Sequence, residues 1–400
     1  MRGSVVAKCM RRHKKADTRC SSRCLRWYYV LDAPPGREGR RRRQWSNGFA
    51  TKRQAEQALT EELARRDQGI ILSTEKLTVR QFMERWLDHM VTLGRDERTP
   101  ERYRELLELH ALPTIGGLQL KALQPLHLSD LYARLLTQGR RDGKPGGLKP
   151  CTVGHVHRAL HRMLKQAVRW RLLALNPASD LELPAVADEP MVTLTHQQAR
   201  TLLDAARPRR WLYVLILLGV ATGARLGELL ALRWTDVDLE QGTVRIGRSR
   251  RIVNRQMQVK GPKTEAGYRT VMVGPITILE LKRVRAEQVQ RRLALGRHYY
   301  TREALVICKP DGRPYRPDSA STQFRTFVDR LGLPKTVHVH TLRHSAASFL
   351  AAAGVPASDI AAQLGHADGG VLALKVYVHP LAEGLVRAGV HLDQVVGRQQ

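Results

Sequence analysis

The segment VHTLRHSAASFLAAAG, residues 339–354, places His340, Arg343 and His344 in the first turns of an alanine-rich helical pattern. Helical spacing of three and four residues sets all three on one face. Taken alone, that stretch reads first as a solvated basic face; the sharper reading, a phosphate clamp, needs support from the rest of the chain. Four more stretches carry side chains that bind phosphate or react with it: TGARLGELLALRW with Arg225, GPKTEAGYRTV with Lys263, LGH with His366 and VYVHP with Tyr377. Each has a plain reading: a helix-capping arginine, a solvated turn lysine, a helix-terminal histidine, a packed aromatic. As a set they make chemical sense. Two arginines and two histidines can surround one phosphate, the guanidinium being a planar, permanently charged fork matched to phosphate oxygens. A lysine can donate a proton and a tyrosine can attack; Tyr377 is the only tyrosine after Tyr315.

In order and spelling these stretches resemble the tyrosine recombinases, the phage integrase family. The resemblance covers most of residues 77–380 and is strongest from Gly223 to Pro380. Arg225 matches the first family arginine and Glu228 the acidic residue after it. Lys263 matches the family lysine, His340 and Arg343 the His-x-x-Arg pair, His366 the Leu-Gly-His histidine and Tyr377 the nucleophile. His366 and Tyr377 lie 11 positions apart, a residue or two more than is usual in the family. Lys260 stands three residues before Lys263 and is the competing lysine; PKTEAGYRT around Lys263 favours the latter. His344 shares the helix face but falls outside the family set, so it reads as a structural neighbour.

The residue types explain the roles that the resemblance implies. An ordinary tyrosine has a pKa of about 10, so roughly one in a thousand is ionised at pH 7, and forming the phenolate costs about 4 kcal/mol. Attack on phosphorus gathers negative charge on the non-bridging oxygens, where preorganised donors contribute about 2.7–4 kcal/mol each by analogy with oxyanion holes. Arg225 and Arg343 would be those donors, with a hydrogen bond from His366. His340 would move a proton at the tyrosine, since an imidazole's ordinary pKa of about 6.5 suits that work. Lys263 would protonate the leaving 5′-oxygen, and Glu228 would orient the site. The implied product is a covalent 3′-phosphotyrosyl link that keeps the energy of the broken phosphodiester, so resealing needs no ATP; consistently, the chain has no G-x-x-x-x-G-K-[ST] loop.

The elements that must hold these residues follow from bulk properties and local pattern. At 400 residues the chain is expected to form two or three domains. Its formal net charge of +30 calls for a polyanion as partner. The apolar stretch WLYVLILLGVATGA (211–224) is shorter than the roughly 20 residues a membrane span needs and stops at Arg225, so it reads as a buried core helix. The N-terminus lacks a secretory apolar region, and five cysteines do not suggest a disulfide framework; a cytoplasmic, nucleoid-associated protein is expected.

Three parts are expected, giving a mixed α/β multidomain protein. Residues 1–76 should form a small β-sheet with one helix: LRWYYVLD and the RRRRQWSNGF return read as strands, APPGREG as a turn, and Thr51 with Gln54 as a capping box. Residues 1–53 hold 16 Lys/Arg against 3 Asp/Glu, and the resemblance implies an arm-type DNA-binding module. Residues 77–184 should be all-helical, with a capping box at Thr78–Gln81, a helix capped by Thr99 before Pro100, and a long final helix running to Asn176-Pro177; the resemblance implies a SAM-like core-binding domain. Residues 185–400 should be mainly α with a small antiparallel sheet formed by TVRIGRS, NRQMQVK and YRTVMV, the last two joined by a tight connection; the resemblance implies the catalytic domain.

Metal readings are weaker. DVDLEQG (236–242) would open a calcium loop, but its sixth position is Gln241 where glycine is needed and its twelfth is Gly247 where glutamate is needed. Cys9, His13, Cys20 and Cys24 could form a closed Cys₃His zinc site or be free thiols in a basic tail. No cofactor is otherwise required. The resemblance implies double-stranded DNA recombination sites as partner, a homotetramer on DNA, accessory DNA-bending or directionality factors, and no membrane. The leading reading is the integrase of a phage or integrative element. A Xer-type resolvase or type IB topoisomerase is the rival within the chemistry. A catalytically inactive DNA-binding regulator is the rival outside it.

Overall fold

The computed structural model describes residues 3–9, 25–33, 42–67, 75–140, 143–186, 191–262, 265–365 and 371. The chain divides into two units, Met1–Val186 and Ala187–Gln400.

The first unit begins with a three-stranded antiparallel sheet, β1 (Ser4–Cys9), β2 (Leu25–Ala33) and β3 (Arg42–Trp45), in the order β1-β2-β3. β1 was not expected from the sequence, where the basic tail hid the short SVVA core of the strand. Helix α1 (Lys52–Asp67) packs on β1 and β2, burying Leu31 and Ala55 and leaving no room for a Cβ at Gly3 beside Leu59. Thr51 and Gln54 cap it reciprocally. Strand alternation puts Lys8, Arg26, Tyr28 and Trp45 on the opposite sheet face. There Tyr28 meets Trp45 edge-on and the Lys8 ammonium lies 3.5 Å from the Trp45 ring centre.

Helices α2 (Val79–Thr92), α3 (Arg98–His110), α4 (Leu112–Ile115), α5 (Pro125–Gln138) and α6 (Pro150–Arg169) follow. Among the described residues, the buried members of their core, which include Phe82, Met83, Leu107, Leu128, Leu131 and Leu160, run from Val79 to Ala178, with Leu77 and Leu181 packed against them. Thr78 and Gln81 form the expected capping box. Two helix boundaries differ from expectation. α3 starts before Thr99, because the Asp96 carboxylate accepts the Arg98 N–H and the Asp96 carbonyl accepts that of Thr99; Pro100, having no N–H, fits the first turn without being its first residue. α6 stops at Arg169, well short of Asn176. Trp170 turns in against Phe82, Arg171 takes a left-handed φ of 57°, and the Leu172 N–H returns to the Ala167 carbonyl.

The second unit is built around α8 (Arg210–Thr222), preceded by α7 (His196–Ala206). α8 is buried on nearly every side, as an all-apolar helix must be. At its end Gly223 adopts φ 61° and closes the helix in the left-handed conformation, with Leu364 against it. The short α9 (Leu226–Leu229) starts immediately afterwards.

The strands form two small sheets. β4 (Val237–Asp238), β5 (Thr243–Ile246) and β8 (Arg269–Met272) pair in the order β4-β5-β8, while β6 (Ser249–Val253) and β7 (Gln256–Lys260) make a separate hairpin. The segment between Lys260 and Arg269 therefore connects strands of two different sheets. Asn254 and Arg255, both at positive φ, turn β7 back onto β6, and β8 finds β5 instead. Asp236 and Asp238 are used inside the fold, Asp236 by Arg248 and Asp238 by the turn N–H groups of Glu240 and Gln241.

α10 (Pro275–Leu295), α11 (Pro317–Arg330), α12 (Val339–Ala352) and α13 (Ala357–Leu364) complete the described part. α12 packs on α8 at Gly219, where a Cβ would strike Leu342. The Ser345 hydroxyl accepts the Leu194 N–H and donates to the Thr341 carbonyl, fixing the helix to the start of the unit. No helix among the described residues is long and apolar enough to cross a membrane.

Candidate active site

Arg225 does not cap the end of α8. It is the N-cap residue of α9, and Glu228 is the third residue of that turn. The Glu228 carboxylate accepts the Arg225 backbone N–H at 3.0 Å through Oε2 and the Arg225 Nη1 at 2.9 Å through Oε1. Arg225 keeps 47% of its side chain exposed while Glu228 is 9% exposed, so the carboxylate anchors the arginine from below and leaves the guanidinium open to a ligand.

Arg343 lies one turn into α12 and is 2% exposed. Its Nη1 donates to the Gly223 carbonyl at 2.8 Å. That bond ties α12 to the left-handed turn that presents Arg225 two residues later. A solvated basic face is thus excluded for Arg343. A charged group buried at this depth is held by specific partners, since burying an uncompensated charge is costly.

His340 stands at the mouth of the cluster, one helical step from Arg343. Its ring meets His344 edge-on at 4.4 Å between centroids and lies 6.4 Å from His338. Crowding by protein on one side pushes its pKa down to about 4, and Arg343, His338 and Arg225 add to the shift against the opposing pull of Glu228. By surface area the residue is still exposed, so solvent reaches the ring. At neutral pH this imidazole is uncharged, and a pKa this low makes it a weaker proton acceptor than the ordinary imidazole expected from the sequence.

One residue that sequence reading passed over belongs to the cluster. Arg269 donates through Nη2 to Glu228 Oε2 at 2.9 Å and through Nε to the Gln363 carbonyl at 2.8 Å. Burial raises the Glu228 pKa, but the hydrogen bond and charge of Arg269, with the Arg225 N–H and charge, outweigh it and hold the carboxyl below its ordinary range. Removing one member of such a buried pair costs about 3–5 kcal/mol. The sequence did contain a signal: Arg269 alternates in phase with buried Val271, an inward strand position that an arginine occupies only with an acidic partner waiting.

Arg225, Glu228, His340 and Arg343 are therefore gathered in one unit. Lys260 ends β7 at the surface. Lys263, His366 and Tyr377 lie outside the described residues, as do His13, Cys20 and Cys24; Cys9 is the last residue of β1. Among the described residues no three His, Cys, Asp or Glu side chains come together in a way that could hold a metal ion.

Residues 192–383 match the model of the phage integrase family, and residues 78–136 match that of the phage integrase N-terminal SAM-like domain. The chain belongs to the phage integrase family. It is a tyrosine recombinase, an enzyme that cuts and rejoins DNA strands at specific sites. It is 26% identical over 347 residues to a tyrosine recombinase XerC-like protein of Caldanaerobacter subterraneus, covering 82% of this chain and 86% of the relative. To an integrase of Streptomyces ambofaciens it is 27% identical over 354 residues, covering 87% and 88%. Among solved structures it resembles the Tn1549 transposon integrase in complex with transposon right end DNA, with a TM-score of 0.64 and 20% identity over 80% of this chain and 100% of that one. A lambda integrase tetramer bound to a Holliday junction aligns with a TM-score of 0.55 and 15% identity, over 86% and 94%. At those identities the structures bear on the fold of this recombinase. Its strand-transfer activity follows from the family.

Proposed function

We propose that this recombinase is the integrase of a phage or integrative element, and that it cleaves DNA through a 3′-phosphotyrosyl intermediate. The observation that carries the chemistry is the joint anchoring of two arginines, Arg343 on the Gly223 carbonyl and Arg225 on Glu228, beside a neutral His340. In this reading Arg225 and Arg343 neutralise the charge that builds on the non-bridging oxygens, and His366 adds a hydrogen bond. Tyr377 attacks phosphorus, His340 takes up its proton, and Lys263 protonates the departing 5′-oxygen. Reversal by a second 5′-hydroxyl reseals the strand with no cofactor. A nicked suicide substrate tests it: the scheme requires a covalent adduct mapping to Tyr377, and an adduct elsewhere, or none, refutes it.

The integrase assignment rests on the N-terminal module. We assign residues 1–76 to arm-type DNA binding, residues 77–184 to core-site binding and residues 185–400 to catalysis. The sheet face bearing Lys8, Arg26, Tyr28 and Trp45 is cationic and aromatic, and a sheet of this size can enter a major groove. In the helical part, Arg95, Arg158, Arg162, Lys165 and Arg169 line a cavity with Trp86 and Tyr103, suited to phosphate contact. A Xer-type resolvase would not need the first module. Recombination between sites with and without flanking arm sequences separates the two.

A homotetramer on paired DNA sites, with accessory DNA-bending or directionality factors, and a cytoplasmic, nucleoid-associated location complete the proposal. Metal content of the full-length protein tests the N-terminal set: about one zinc per chain that is lost in Cys20→Ser supports a Cys₃His site, and a metal-free protein leaves them thiols.

A further inference from the structure

We propose that Arg269 is a positioning residue for strand cleavage, acting through Glu228 to hold the Arg225 guanidinium against the scissile phosphate. The inference rests on the reading that Arg225 touches that phosphate. Among the described residues, Glu228 is the only side chain bonded to Arg225. Whatever orients the Glu228 carboxylate therefore orients Arg225. Its two oxygens are divided: Oε1 holds the Arg225 side chain, and Oε2 is shared by the Arg225 backbone N–H and Arg269.

Arg269 is itself immobilised. It is 5% exposed in its side chain, sits in the inward phase of β8 opposite Ile246, and spends Nε on the Gln363 carbonyl in the last turn of α13. One guanidinium thus joins the strand, the acidic residue of α9 and the end of α13.

Charge makes the same point. Two arginines around one carboxylate leave a net positive cluster, so part of the Arg225 charge is available to an anion. Without Arg269 the whole charge of Glu228 would fall on Arg225, drawing the guanidinium down and neutralising it. Lysine cannot replace Arg269, because a single ammonium does not reproduce the fork that spans Glu228 and the Gln363 carbonyl.

The test is the rate of covalent adduct formation by the full-length protein on a nicked suicide substrate. Arg269→Gln, Arg269→Lys, Glu228→Gln and the Arg269→Gln/Glu228→Gln double variant are compared on a phosphodiester and on a methylphosphonate at the scissile position. The methylphosphonate lacks the negative charge that Arg225 meets. Arg269→Gln should slow cleavage of the phosphodiester roughly 10–100-fold, the scale for partners that orient a ligand-binding group, with DNA affinity unchanged. The penalty should shrink on the methylphosphonate, and the double variant should be no slower than the worse single one. Equal penalties on both substrates, or additive effects in the double variant, would show that Arg269 only supports the fold. Should Arg269→Gln fail to fold, Arg269→Lys and Glu228→Gln are read on the same two substrates by the same criterion. Arg225→Gln is the separate control: full phosphodiester cleavage by that variant overturns the underlying reading instead.

Discussion

Arg343→Lys keeps the charge of the most buried cation in the site and removes its geometry. In the structure Nη1 is committed to the Gly223 carbonyl at 2.8 Å, and on the proposed reading the other edge of the fork meets the phosphate. A lysine ammonium can serve the carbonyl or the phosphate, not both. If it stays on the carbonyl, one preorganised donor is lost from the transition state, worth about 2.7–4 kcal/mol or a 10²–10³-fold slower cleavage step. If it moves to the phosphate, the carbonyl loses a hydrogen bond to a charged group, worth about 1.5–3 kcal/mol. In a unit of this size that lowers Tm by roughly 3–12 °C. Single-turnover adduct formation on a nicked substrate, run beside a thermal melt, covers both branches. Normal cleavage rate together with normal Tm in this variant would make Arg343 replaceable packing.

Other expectations follow from the same geometry. Tyr377→Phe should abolish the covalent adduct and leave DNA affinity nearly unchanged, because phosphate contacts spread over a large surface dominate binding; persistent adduct in a denaturing gel would mean that another side chain attacks. His340 should titrate near pH 4 in the free protein, followed by its ring resonances in NMR. Its folded pKa lies below its unfolded value, so its contribution to stability is complete above about pH 6.5 and is lost as pH falls toward 4; a midpoint between 6 and 7 would show that the surrounding protein and arginines do not depress it. Deleting residues 1–76 should leave a folded, cleavage-competent protein, since the core of the helical part uses none of them. Integration at full-length sites should fail, and the log–log salt slope of binding should flatten by about 0.9 for each phosphate that the shortened protein no longer neutralises. An unchanged slope with normal recombination would favour the resolvase.

The features legible from the chain alone are local ones. The capping boxes at Thr51 and Thr78, the buried helix around Leu215 and the His340–Arg343 spacing all depend on residues within one or two turns of each other. Such contacts are specified by periodicity and by side chains that satisfy nearby N–H groups. Tertiary structure decided the rest. Arg343 and Gly223 are 120 residues apart, Arg269 and Gln363 94, and Arg269 and Glu228 41. Strand alternation marks Arg269 as facing inward, but it does not make it a site residue in a chain that carries 67 Lys/Arg. What makes it special is an acidic partner and a helix end delivered by other elements. The same holds for the strands. β7 and β8 are neighbours in sequence, yet they join different sheets, because the turn at Asn254-Arg255 claims one and the buried phase of Arg269 and Val271 commits the other to β5. A strand's alternation shows which face is buried; which strand completes it is settled only when the core closes.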